Sequence, residues 1–116
     1  MMYKVDHILE AGNGKMAFVL KILKMFSVEV DDKMSKIKEA LHQKNYKVIE
    51  DNMHQLKSNL RLLGREDLAE MAFTLEKKAH DQNCDQQCFE YLNTLMDKMI
   101  DLKVKIQKDI TDGKYK

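Results

Sequence analysis

The sequence predicts an all-α fold, an antiparallel up-and-down four-helix bundle with an additional short N-terminal helix, on three observations. Helix breakers are scarce: there is no proline, and of the four glycines only Gly64 is internal, with Gly12, Gly14 and Gly113 nearer the ends. Apolar residues recur at gaps of three and four over long stretches, with lysines and acids between them. No segment shows a strand's alternation. With 116 residues, 44% of them hydrophobic and 34% charged, the chain has the means for one domain (1–116) with one modest core and a solvated exterior.

In the N-terminal turn and loop, 1–13, Tyr3, Val5, Ile8 and Leu9 are expected to pack as a short turn against the end of the bundle, and Gly12-Asn13-Gly14 reads as a loop. From Lys15 onward Val19, Leu23, Phe26, Val30, Met34, Ile37 and Leu41 follow a helical period. Because Met16 to Phe26 is apolar on more than one side, a short capping helix there, bending near Ser27 into a second helix that ends about Gln43, is expected. Lys44-Asn45 is a break, with Asn45 the N-cap of a helix from Tyr46 to Leu63. Gly64 stops that helix by taking a left-handed conformation at little cost. Asp67 and Glu70 have capping-box spacing for a helix that buries Leu68, Ala72, Leu75 and Ala79, with Ala69, Ala72 and Ala79 small enough for close approach. His80 to Asp85 reads as a polar loop. The last helix, from Asp85 or Gln86 to about Ile110, carries Cys88, Leu92, Leu95, Met99, Leu102 and Ile106 on a seven-residue rhythm, and 111–116 is expected to fray. That rhythm would also suit a coiled-coil dimer, but internal breaks at Lys44, Gly64 and Asn83 favour a chain folded back on itself, hence a monomer.

Composition narrows function mostly by exclusion. A net charge of +1 and a pI near 7.7 provide no global field for nucleic acid or an anionic membrane. The most apolar stretch, Met16 to Phe26, is interrupted by Lys21 and Lys24 and is too short to span a bilayer, so no membrane insertion is expected. It also lacks the layout of a signal peptide, which makes a cytoplasmic protein the default. Cys84 and Cys88, if helical, read as reduced thiols. Together with His80 they fall at successive gaps of four, a spacing that can hold zinc, but a fourth ligand is missing and the loop-like Asp81 to Asp85 breaks the helical premise, so no metal site is expected. Neither a glycine-rich phosphate loop nor a catalytic triad is present, and no cofactor is called for.

The chemistry concentrates at His54-Gln55-Leu56-Lys57-Ser58-Asn59-Leu60-Arg61-Leu62-Leu63-Gly64. On a helix, Lys57, Ser58 and Arg61 share a strip with His54, whereas Ile49, Met53, Leu56, Leu60 and Leu63 form the seam that must be buried. His54 should therefore stand in water while its helix is held in a core. No acid occurs from His54 to Arg65. An imidazole beside fixed cations suits the carriage of a negatively charged group, since imidazole near neutral pH has a lone pair able to attack phosphorus and phosphoryl transfer depends largely on positioning and charge.

His54-x-Leu56-Lys57 with a small residue after it, Leu63-Gly64, and the run Leu68-Ala69-x-x-Ala72-x-x-Leu75-Glu76-x-x-Ala79 resemble the histidine phosphotransfer (HPt) domain of bacterial multistep phosphorelays. The similarity covers nearly the whole chain and is densest from His54 to Ala79. It implies that His54 accepts a phosphoryl group from the aspartate of a response-regulator receiver domain and passes it to another, that Lys57 steadies the phosphoryl oxygens, and that the receiver supplies the magnesium. It further implies a hybrid sensor histidine kinase upstream. Ser58 stands where the family commonly has glycine, and Arg61 where small residues are frequent; Arg61 either reaches the phosphoryl group or crowds the docking surface. Gln55, Ser58, Asn59 and Arg61 are the expected partner-binding rim. The alternative is an inactive relative, a helical adaptor that docks to receivers or to another acidic partner without transfer.

Overall fold

The computed structural model describes residues 2–116, so Met1, the first residue of the expected N-terminal turn, lies outside the described residues. Among the described residues five helices follow one another: α1 (Asp6–Ala11), α2 (Met16–Gln43), α3 (Tyr46–Leu62), α4 (Glu66–His80) and α5 (Gln86–Thr111). Helices of 28 and 26 residues, at 1.5 Å per residue, account for a body of 43 × 23 × 21 Å that is one helix long. Around the bundle α3 lies between α2 and α4, and α5 closes the ring against α2 and α4. The seams expected from periodicity are the buried ones. Val19, Leu23, Val30 and Ile37 of α2 meet Ile49, Met53, Leu56 and Leu60 of α3, Leu68 and Leu75 of α4, and Leu92, Leu95, Met99, Leu102 and Ile106 of α5 in one core. The α3–α4 pairing is the most extensive, as the buried Ala69, Ala72 and Ala79 allow.

The ends of α3 are set by the residues expected to set them. Asn45 Oδ1 accepts the Val48 N–H at 3.4 Å. At the other end Gly64 has φ +72°, and the Arg65 N–H returns to the Leu60 carbonyl at 2.9 Å, closing a Schellman turn. A side chain at Gly64 would also meet Lys4, whose Cβ would stand 2.9 Å from the new carbon.

Four local expectations are corrected. The sequence 16–43 is one unbroken helix, and Ser27 does not bend it, because its hydroxyl donates to the Leu23 carbonyl one turn back within the helix. The short extra helix is instead α1, inside the segment expected to be turn and loop. The Asp67–Glu70 capping box does not form: α4 begins at Glu66, and Asp67 is gripped by Arg65 through two bonds of 2.9 and 2.8 Å, which hold its carboxyl down at about 2. The C-terminal tail does not simply fray, for Tyr115 is buried and hydrogen-bonds the buried Tyr3 hydroxyl, which in turn donates to Asp109 Oδ2 at 2.7 Å.

Candidate functional site

His54 lies in the middle of α3 with its side chain 64% exposed, as its place opposite the buried seam requires. Across from it runs α4, antiparallel, so a step forward along α3 is matched by a step back along α4. Lys57 thus faces Phe73, His54 faces Glu76 and Glu50 faces His80. His54 Nδ1 bonds Glu76 Oε2 at 2.8 Å, and Lys57 Nζ donates to Glu76 Oε1, also at 2.8 Å. One carboxylate therefore holds both the imidazole and the ammonium. Burial pushes the Glu76 carboxyl up, but the Lys57 and His54 hydrogen bonds outweigh it and hold the group below its ordinary value, so Glu76 is an anion at neutral pH.

This changes the expected picture of the strip. Sequence spacing put His54 among cations with no acid near; the fold brings in an acid from α4, and Lys57 is not a solvated neighbour but a packed one. Its side chain is only 12% exposed, and its ammonium stands 4.8 Å from the centre of the Phe73 ring. Glu76 occurs in the Leu75-Glu76 step of the motif run, yet its role depends on interhelical register, which the spacing within one helix does not fix.

The carboxylate sits on the Nδ1 edge of the ring. An imidazole that donates its Nδ1–H to a carboxylate keeps its lone pair on Nε2, and among the described residues Nε2 of His54 has no partner. The ring is thus held by its Nδ1 edge, with the Nε2 edge turned away from the anion. A group joined to Nε2 gives the ring positive charge, which Glu76 is placed to offset.

The expected rim residues divide. Ser58 is exposed one turn beyond His54 and makes no described side-chain bond. Gln55 accepts a hydrogen bond from the buried Lys33 of α2, which fixes that side chain across the α2–α3 seam. Arg61 leans toward Glu66, with Nε 3.7 Å from the carboxylate, and keeps about half its surface in water. Asn59 borders a mainly apolar groove of about 110 Å³ formed with Leu62 and the following Leu63 and with Ile22, Met25, Phe26 and Glu29 of α2. Exposed apolar side chains continue along α2 from it: Met25 is 47% and Val28 72% exposed. Sequence reasoning missed this flank because Met16–Phe26 looked like a cap rather than part of a long helix beside α3.

The other sequence candidate comes apart. His80 is the last residue of α4 and turns to Glu50, with Nδ1 2.9 Å from Oε2. Cys84 precedes α5 instead of continuing a helical face, and it forms a disulfide with Cys88, not the pair of reduced thiols expected. Among the described residues no three His, Cys, Asp or Glu side chains are grouped to hold a metal ion.

Residues 21–102 match the family described as the Hpt domain, a span that takes in α3, α4 and the His54–Glu76 pair. The chain belongs to the Hpt domain family. The fold agrees with the crystal structure of histidine-containing phosphotransfer protein B (HptB) from Pseudomonas aeruginosa PAO1, at a TM-score of 0.80 and 12% identity over 93% of each chain. No curated protein sequence matches the chain. An Hpt domain has a histidine phosphotransfer role in phosphorelay signalling and works with receiver domains and kinases. Among the described residues no helix is long and apolar enough to cross a membrane.

Proposed function

We propose that His54 is the phosphoacceptor, taking the group from the aspartyl phosphate of one response-regulator receiver and passing it to the aspartate of another. In the first step Nε2 attacks phosphorus, the Nε2–P bond forms, the acyl-phosphate P–O bond breaks and the aspartate leaves as carboxylate. The second step is the reverse on the next receiver. A hybrid sensor kinase feeds the relay, the domain acts as a monomer in the cytoplasm, and it needs no cofactor of its own because the metal comes with the receiver. The observation that carries this reading is the Glu76-oriented, solvent-facing imidazole of His54. Lys57 anchors Glu76 and places positive charge one helical turn from the phosphoryl group.

Docking uses the exposed face around Ser58, with Gln55 and Asn59 leading into the apolar groove beside Met25 and Val28, and Arg61 at the charged rim. This combination of an apolar patch with a polar border fits a transient interface of modest area. The test is transfer from a phosphorylated receiver to the wild-type chain and to His54→Gln. Labelling of the wild type alone is expected, and equal labelling of both removes His54 from the mechanism. Receiver binding without transfer to the wild type would favour the adaptor reading.

A further inference from the structure

The α3–α4 seam carries the His54 arrangement twice. His54 on α3 pairs with Glu76 on α4 at 2.8 Å; His80 on α4 pairs with Glu50 on α3 at 2.9 Å, through Nδ1 in both cases. Both rings are open to water, 64% and 71%, and both carboxylates are largely covered, 16% and 21% exposed. Each histidine has a lysine three residues away on its own helix, Lys57 and Lys77, and the two ammonium groups share the Phe73 ring at 4.8 and 4.4 Å. The two pairs lie one helical turn apart along the seam, and the lysine follows the histidine on α3 but precedes it on α4. The lysines also differ in pairing: Lys57 is neutralised by Glu76, whereas among the described residues Lys77 forms no ion pair. A hollow of about 270 Å³ lies beside this second arrangement, bordered by Glu50, Phe73, Glu76, Lys77, His80 and Asp81.

We propose that His80 is a second phosphoryl-accepting histidine, open to small phosphoramidate-class donors. With Nδ1–H given to Glu50, Nε2 holds the lone pair and attacks phosphorus. The Nε2–P bond forms, the P–N bond of the N-protonated phosphoramidate, whose nitrogen is already an –NH3+ group, breaks, and neutral ammonia departs with the bonding pair. The ring becomes cationic and keeps its Nδ1 proton, and the Glu50 carboxylate offsets that charge. The unpaired Lys77 ammonium supplies a counter-charge for the phosphoryl oxygens. Asp81 and the carbonyl end of α4 oppose an incoming anion, so His80 reacts more slowly than His54. His7 and His42, exposed and without a described carboxylate partner, form a baseline within the same molecule.

This inference goes beyond the relay role of His54 and does not depend on it. The experiment treats the full chain and its His54→Gln variant with phosphoramidate and follows each histidine by site-resolved mass spectrometry. In His54→Gln, His80 is expected to be labelled about tenfold faster than His7 and His42, the scale of one charge-assisted hydrogen bond. Labelling of His80 no faster than those two overturns the proposal. Glu50→Gln should slow His80 and leave His54 unchanged; an equal rate at His80 with and without the Glu50 charge would also overturn it. Failure in either arm leaves the receiver-dependent labelling of His54 untouched.

Discussion

Two buried-edge carboxylates in this molecule have similar partners and opposite consequences. Asp109, near the end of α5, accepts from Lys105 at 2.8 Å and from the Tyr3 hydroxyl at 2.7 Å, with Lys114 3.7 Å away. Glu76 accepts from Lys57 and is bonded to His54, both at 2.8 Å. In each case a lysine neutralises the acid and a ring-bearing side chain takes its second oxygen. At Asp109 the ring is the buried Tyr3, itself bonded to the buried Tyr115, so the cluster joins residue 3 to residues 109 and 115 and leaves only its lysines to solvent. At Glu76 the ring is an imidazole with one nitrogen facing water. Whether a held carboxylate locks a fold or presents a reactive group is decided by the exposure of what it holds.

The two regions were also unequally legible in sequence. The outward face of His54 followed from periodicity alone, because the apolar seam of a single helix dictates where the histidine must stand. Glu76 did not follow, because a bond between helices depends on how far one slides along the other, and only packing of side chains such as Leu56, Leu60, Ala72 and Leu75 fixes that. The short helix α1 has six residues, too few to display a period. Tyr115 sits in a polar tail whose burial exists only because Tyr3 and Asp109 wait at the same end of the bundle. Neither cluster could be read from spacing within one segment, and apart from Tyr3, which was expected to pack on the end of the bundle, both consist of residues that look solvated in isolation.

The contrast can be broken most strongly at Asp109. Asp109→Ala leaves Lys105 and the buried Tyr3 hydroxyl without their shared acceptor, and loss of those charge-assisted bonds, with the lysine ends already screened by water, costs about 2 kcal/mol. Urea unfolding should show this loss, while receiver-dependent labelling of His54 in the still-folded variant stays within about twofold, since the two sites have no partner in common. A loss of labelling as large as the loss of stability would mean that the terminal knot also shapes the site.

Glu76→Gln should give the opposite pattern at a smaller scale. The amide keeps the shape and can accept one hydrogen bond, but it cannot offset the charge that develops on the ring, and it leaves Lys57 without an anion. Transfer to His54 is expected to fall about tenfold, and the midpoint of thermal unfolding to move by no more than a few degrees, as for a partly solvated ion pair. Stopped-time labelling and a thermal melt on the same sample read both. A stability loss equal to that of Asp109→Ala, with transfer intact, would make Glu76 a lock as well.

The smallest effect lies in acid. Hydrogen bonding by Lys105 holds the Asp109 carboxyl below its ordinary value against the opposing effect of burial, with Tyr3 and the lysine charges adding to it. The lysine and histidine bonds to Glu76 likewise outweigh burial. A carboxyl whose folded value lies below its unfolded one stabilises the fold fully above the unfolded value, about pH 4, and that contribution drains away as pH falls through the folded value. Stability should therefore be flat down to about pH 5 and decline below it. Asp109→Asn should flatten the decline visibly, because the carboxyl and its Tyr3 partner are both buried, and Glu76→Gln should flatten it less, because that carboxyl is more open and water screens its His54 side. Urea midpoints taken at intervals from neutral pH to about pH 3 compare the two slopes. Equal flattening by both variants would show that the exposure of the partner does not separate these carboxylates, and the distinction between a locked cluster and a presented one would have to rest on transfer rates alone.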